Sequence, residues 1–236
     1  MTELIELKKE LNFLTNKKQA KILQKFFKTG KGEYGEGDKF LGIKVPVQRK
    51  VAKKYSGLEL AEIGKLLDSE IHEYRLTSLF ILIDKFEKGE SEEGKKKIFN
   101  FYLQNTKGVN NWDLVDLSAP KICGVYLLGK KEERGVLYKL TKSKNLWERR
   151  IAILSTYAFI KNNEFEDGIK ISEMLLKDKE DLMHKAVGWM LREIGKRNLG
   201  EEERFLKKYY KKMPRVMLRY AIEKFSEKKK EFYMKK

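Results

Sequence analysis

Cysteine is almost absent from this chain of 236 residues: Cys123 is the only one. An intramolecular disulfide is therefore excluded, and a reducing compartment fits. Its neighbours Ile122, Val125 and Tyr126 predict a buried structural thiol rather than a nucleophile. Histidine is nearly as scarce. His72 and His184 stand alone, and with one cysteine they are too few good ligands for a zinc site, so no metal and no cofactor is expected. No run of 18 apolar residues is present, and no helix sets a clean basic face against a greasy one, which argues against a membrane partner. The acidic start Met1-Thr2-Glu3-Leu4-Ile5-Glu6 has no apolar signal core, so a cytoplasmic protein is expected. Nowhere does the hydrophobic pattern alternate as a strand requires. Proline occurs only at positions 46, 120 and 214.

Positive charge is plentiful. Lys and Arg number 52 against 35 Asp and Glu, a net charge of +17. A surplus of that size favours a polyanionic partner, because each neutralised phosphate releases condensed counterions; the bland alternative is a merely soluble surface. Apolar spacing is helical almost throughout. It predicts helices at 2–14, 17–28, 46–55, 58–67, 70–87, 92–104, 112–128, 132–141, 146–161, 166–177, 180–197, 200–212 and 214–226, with a short basic tail from about 227. The stretch is read as one domain over 1–236. Pro120 should kink or split its helix. The glycine-rich loop Thr29–Gly42 is not a phosphate-binding P-loop, since no Gly-Lys-Ser/Thr ends it and Glu33, Glu36 and Asp38 would repel phosphate.

Five helix starts align with one another, and the reference residues are Arg75, Asp113, Arg150, Lys185 and Arg219. They recur at a spacing in the range of helical solenoids with two helices per step. The fold class expected is all-α: a right-handed superhelical solenoid of HEAT-like helix pairs with a basic concave face. Arg75, Arg150, Lys185 and Arg219 share a cationic position on the aligned helices and predict a basic track that suits a nucleic-acid duplex.

In the middle of that track lies Asn110-Asn111-Trp112-Asp113-Leu114-Val115-Asp116. Trp112 and Asp116 are four residues apart and share a helical face. On the aligned helices, Arg150 and Trp189 fall at positions that should turn the same way. Two indoles and a carboxylate suit a cation of aromatic size. Each residue also has a plainer reading. Trp112 could be a packing aromatic, Asp116 a salt-bridge partner, Asp113 a helix cap or the functional carboxylate itself, and Arg150 the structural partner of Glu148 or Asp116. Trp147 reads as packing.

Trp112-Asp113-Leu114-Val115-Asp116, Leu146-Trp147-Glu148-Arg149-Arg150-Ile151-Ala152, Lys185-Ala186-Val187-Gly188-Trp189-Met190-Leu191-Arg192-Glu193 and Phe40-Leu41-Gly42-Ile43-Lys44-Val45-Pro46 together resemble the DNA alkylation repair family of AlkD-like glycosylases. The match in order and spacing runs over roughly residues 15–225. The resemblance implies a HEAT-like solenoid that removes positively charged N3- or N7-alkylpurines from DNA. It implies that Asp116 is the catalytic carboxylate, that Trp112 and Trp189 are the active-site tryptophans, and that Arg150 lies close to the lesion and backbone. Tyr34 matches a tyrosine near the same cleft once a small gap is allowed, and Arg192 falls nearby. Arg75, Lys185, Arg215 and Arg219 are assigned to the DNA backbone.

The chemistry is coherent. Alkylation makes the purine a cationic leaving group that needs no strong acid, and Asp116 would stabilise the positive charge developing on deoxyribose. No lysine is placed to form a Schiff base, so a monofunctional enzyme is expected; its expected partner is double-stranded DNA with alkylated purines, and the expected state is a monomer. The competing readings are a non-catalytic helical-repeat module that binds DNA or RNA, and a protein-binding scaffold.

Overall fold

A computed structural model describes residues 2–89 and 91–235. It is all-helical. Among the described residues the only pairing of β type is an isolated bridge between Lys39 and Ile71. No helix among them is long and apolar enough to cross a membrane. The chain forms two compact units, Met1–Leu114 and Val115–Lys236.

The first unit holds α1 (Glu3–Phe13), α2 (Lys17–Phe26), α3 (Val45–Lys54), α4 (Leu60–Leu67), α5 (His72–Lys88) and α6 (Glu92–Gln104). Helix α5 is its core. Every residue from His72 to Ile83 is buried, the polar His72, Glu73 and Arg75 among them, and α3, α4 and α6 pack against it. Helix α7 (Trp112–Ser118) starts in this unit.

The second unit continues through α8 (Val125–Leu127), α9 (Gly135–Thr141), α10 (Leu146–Lys161), α11 (Glu166–Met174), α12 (Asp181–Arg197), α13 (Leu199–Tyr209), α14 (Arg215–Ala221) and α15 (Glu227–Met234). Its centre is α10, buried along most of its length, with α9, α11 and α12 against it. Helix α12 in turn packs on α13 and α14. Gly188 on α12 lies so close to the Met217 carbonyl and Tyr220 of α14 that a Cβ would collide with both.

Polar residues that interrupt the apolar pattern become N-caps. The side chains of Asn16, Ser91, Asn145 and Asn198 accept from Gln19, Gly94, Trp147 and Glu201 amides respectively, satisfying donors that a helix start leaves open. The single helix expected over 112–128 is divided. Pro120 has no N–H to give, and the chain passes through a π-helical turn, Pro120–Gly124, closed by the Gly124 amide on Ala119 O at 2.9 Å. Cys123, in that turn, is fully buried. Residues 227–234, expected as a basic tail, are helical instead. Tyr233 is buried there, with its ring 5.4 Å from that of Tyr210 and 5.8 Å from that of Phe225, so the lysines of this segment ride on an aromatic anchor.

Candidate active site

The glycine-rich loop before α3 is held by its own carboxylates. Glu33 accepts from the Gly30 amide and Glu36 from the Gly32 amide, each at 2.8 Å. Farther along, the buried Glu73 of α5 accepts from the amides of Leu41, Gly42 and Ile43 at 2.9, 2.7 and 3.2 Å. Glu33 and Glu36, two of the acidic residues that spoke against a phosphate loop, are thus internal fasteners of the loop.

That loop presents Tyr34 to Trp112. The indole Nε1 donates to Tyr34 Oη at 3.3 Å, and Tyr34 Oη donates to the Phe26 carbonyl at 3.4 Å. The half-buried Trp112 stacks on Phe27, with centroids 5.3 Å apart, and meets Phe26 edge-on at 5.9 Å. Phe27 and Phe40 stack at 5.2 Å, and both rings lie against His72, at 4.9 and 4.7 Å.

Beneath the aromatic rings is a buried charge cluster. His72 has Asp38 Oδ2 3.2 Å from Nδ1 and Asp113 Oδ2 2.8 Å from Nε2. With a carboxylate on each side, both ring nitrogens must donate, so the ring is an imidazolium. Burial alone would push its pKa down, but the hydrogen bonds to Asp113 and Asp38 raise it to about 8. Asp38 also accepts from Arg75 Nη2 at 2.7 Å and Asn111 Nδ2 at 3.2 Å. Burial would raise the Asp38 carboxyl, yet the His72 hydrogen bond and the nearby Arg75 and His72 charges hold it below the usual range.

In the second unit the centre is the pair Asp116–Arg150. Arg150 Nε and Nη2 each donate at 2.8 Å to the two oxygens of Asp116, and Nη1 donates at 2.5 Å to the Leu182 carbonyl. Arg150 is only 4% exposed, whereas the Asp116 side chain keeps 20% of its surface. Parallel donation by a planar fork fixes the carboxylate in orientation as well as in charge. Trp189 is half-buried. Its Nε1 donates to Glu193 at 3.1 Å, and its ring lies 6.1 Å from that of Tyr157.

The sequence profile described as DNA alkylation repair enzyme matches residues 7–225. The chain belongs to the DNA alkylation repair enzyme family. Three solved structures share the fold at 18% identity. A protein described as a predicted DNA alkylation repair enzyme from Enterococcus faecalis has a TM-score of 0.72, over 90% of this chain and 97% of that one. AlkD2 from Streptococcus mutans has 0.56, over 95% and 97%. The protein smu.31 from Streptococcus mutans UA159 has 0.52, over 92% and 94%. Comparison with curated proteins yields no match.

Within this DNA alkylation repair fold, one of the expected site residues needs correction. Arg75, read as a backbone phosphate contact, is 2% exposed. Its guanidinium donates to Asp38 and, at 2.8 Å, to the Ser69 carbonyl, so it offers no surface cation. Arg150, expected close to the lesion and backbone, is buried and bound to both oxygens of Asp116, one of the two partners its structural reading allowed. The shared cationic position of the repeats is therefore not a continuous basic surface. At Lys185 it forms an ion pair with Asp181 at 2.6 Å, and at Arg219 it is exposed. Arg215 is exposed too and donates to the Met234 carbonyl at 2.7 Å. Arg192 forms ion pairs with Glu193 and Glu223. Trp147 is buried, as its packing role predicts.

Sequence reasoning missed Asp38, His72, Phe27 and Phe40. The signal available was faint: an aspartate in a glycine-rich loop, followed by an aromatic two residues later.

Proposed function

We propose that this protein is a monofunctional DNA glycosylase that hydrolyses the N-glycosidic bond of cationic N3- and N7-alkylpurines in duplex DNA. The observation that carries the reading is the bidentate pair of Asp116 and Arg150. It presents a preorientated, partly exposed carboxylate four residues beyond Trp112 on α7, in a chain of net charge +17. Membership of the DNA alkylation repair family supports it.

In this mechanism the alkylated purine leaves as a neutral base, taking the electron pair of the C1′–N bond, and positive charge builds on the deoxyribose. Asp116 stabilises that charge and orients the water that attacks C1′, accepting its proton. Arg150 is a positioning residue that keeps both carboxylate oxygens in place. Trp112, which Tyr34 supports, and Trp189 are the tryptophans that the family resemblance assigns to holding the sugar and excluding bulk water. Phosphate contacts by exposed cations set affinity without reading sequence.

The Arg150 pairing also favours a second reading. A buried guanidinium bound to a carboxylate can be a structural staple, and the protein would then be a non-catalytic duplex-binding module. Release of 7-methylguanine from methylated duplex DNA separates the two. The parent should release base, and Asp116→Asn should lose about 100-fold or more of that rate, as removal of a preorganised electrostatic group does, while binding duplex DNA as before. Unchanged release by Asp116→Asn removes the catalytic role. Salt-sensitive duplex binding without release by the parent establishes the module.

A further inference from the structure

We propose that His72 is a positioning residue: a two-sided clamp that fastens both the glycine-rich loop and the first turn of α7 to α5, and so sets the place of Tyr34 and Trp112. The proposal rests on the glycosylase reading only for its effect on catalysis.

The clamp is built from residues far apart in sequence. His72 is the first residue of α5 and is 2% exposed. On one side its Nδ1 holds Asp38, four residues beyond Tyr34 in the loop; on the other its Nε2 holds Asp113, the residue after Trp112. The two residues it indirectly places are hydrogen-bonded to each other, Trp112 Nε1 to Tyr34 Oη. A second path runs through the rings. One face of the aromatic cluster is the His72 imidazole against Phe27, and Phe27 stacks on the indole of Trp112. A cationic ring against aromatic faces adds attraction that a neutral ring lacks. Trp112 thus feels His72 both through the backbone at Asp113 and through Phe27.

The protonation state decides whether the clamp holds. Asp38 faces His72 from the loop and Asp113 from α7, both favouring the imidazolium; Arg75, one turn along α5, opposes it. Glu73 of α5 and Lys44, which precedes Pro46 at the start of α3, line the same small cavity of about 90 Å³ as His72 and Asp113. The balance leaves His72 charged up to about pH 8. Loss of that proton turns one ring nitrogen into an acceptor facing a carboxylate, so one of the two links must break.

The test follows the Trp112 indole N–H in ¹⁵N-labelled protein from about pH 6 to about pH 9.5, a range spanning the shifted imidazole; Trp112→Phe identifies the signal. In the parent it should move with a midpoint near 8, and in His72→Gln it should not. At neutral pH both His72 ring nitrogens should carry protons in a long-range ¹⁵N–¹H spectrum. A Trp112 signal that does not titrate in the parent, or a neutral His72 at neutral pH, overturns the clamp, and neither result depends on His72→Gln folding. In parallel, 7-methylguanine release by the parent should fall through pH 8 in kcat rather than KM, and His72→Gln should give a lower, flatter profile. Identical profiles in parent and variant overturn the clamp and leave the glycosylase reading intact. A titrating indole without any base release upholds the clamp and removes the glycosylase reading.

Discussion

Asp113 and Asp116 lie three residues apart on α7, yet their partners come from different helices: His72 of α5 and Arg150 of α10. Asp113 is the residue that the repeat aligns, and it is committed to a buried imidazolium. Asp116 is held by a guanidinium with part of its surface left open. The His72 cluster also makes stability depend on pH in a defined direction. The His72 pKa is raised on folding, so its contribution is complete below the unfolded value of about 6.5 and is lost as pH climbs through about 8. Asp38 is depressed, so its contribution is present above the ordinary aspartate range and is lost on acidification. For His72 the shift corresponds to about 2 kcal/mol. Thermal unfolding should show the parent's advantage over His72→Gln shrinking by a few degrees between about pH 6.5 and about pH 9; an advantage that stays constant with pH contradicts the ion pairing.

At the scale of elements, the contact between α12 and α14 depends on the absence of a side chain. Alanine at position 188 would improve helix propensity by up to about 1 kcal/mol. Its Cβ would instead meet a backbone carbonyl and Tyr220 Cβ, neither of which can swing aside. The overpacking cost of about 1–3 kcal/mol should win. Gly188→Ala is therefore expected to lower the melting temperature by a few degrees, and a rise would show that α14 yields freely. Elements were the most legible part of this sequence. Apolar periodicity outlined nearly every helix, and Pro120 announced a break. The candidate site was legible in part. Trp112 and Asp116 stand out because four residues are one helical turn. The burial of Arg75 does not stand out, because a guanidinium headed for Asp38 over thirty residues away has the same local pattern as one headed for solvent; for Arg150, Asp116 was one of two partners the sequence offered. For the same reason His72 reads as a lone histidine until folding brings a carboxylate to each nitrogen.

For the whole molecule the relevant quantity is charge that solvent can reach. The net +17 counts Arg75 and Arg150, which are sealed in ion pairs. Of the four residues assigned to the DNA backbone, Lys185, Arg215 and Arg219 are left as candidates for phosphate. Duplex binding followed by fluorescence anisotropy over a series of salt concentrations should weaken steeply, with a slope of log K against log salt of about −0.9 for each phosphate neutralised. Arg219→Gln should reduce that slope by about one and weaken binding to all sequences alike. An unchanged slope would remove Arg219 from the interface.

The fastening of the glycine-rich loop bears on how this protein can be rebuilt. Three consecutive loop amides depend on Glu73, and Asp38 depends on Arg75 and His72, all on α5. Gly42, with φ of +84°, sits against the Asn16 carbonyl and the Ala20 amide of α2. A graft of the loop alone onto another scaffold would carry its carboxylate without cations and its amides without an acceptor. The smallest portable cassette is the loop together with the start of α5 and the beginning of α2, and a chimaera between relatives should exchange these segments as one block.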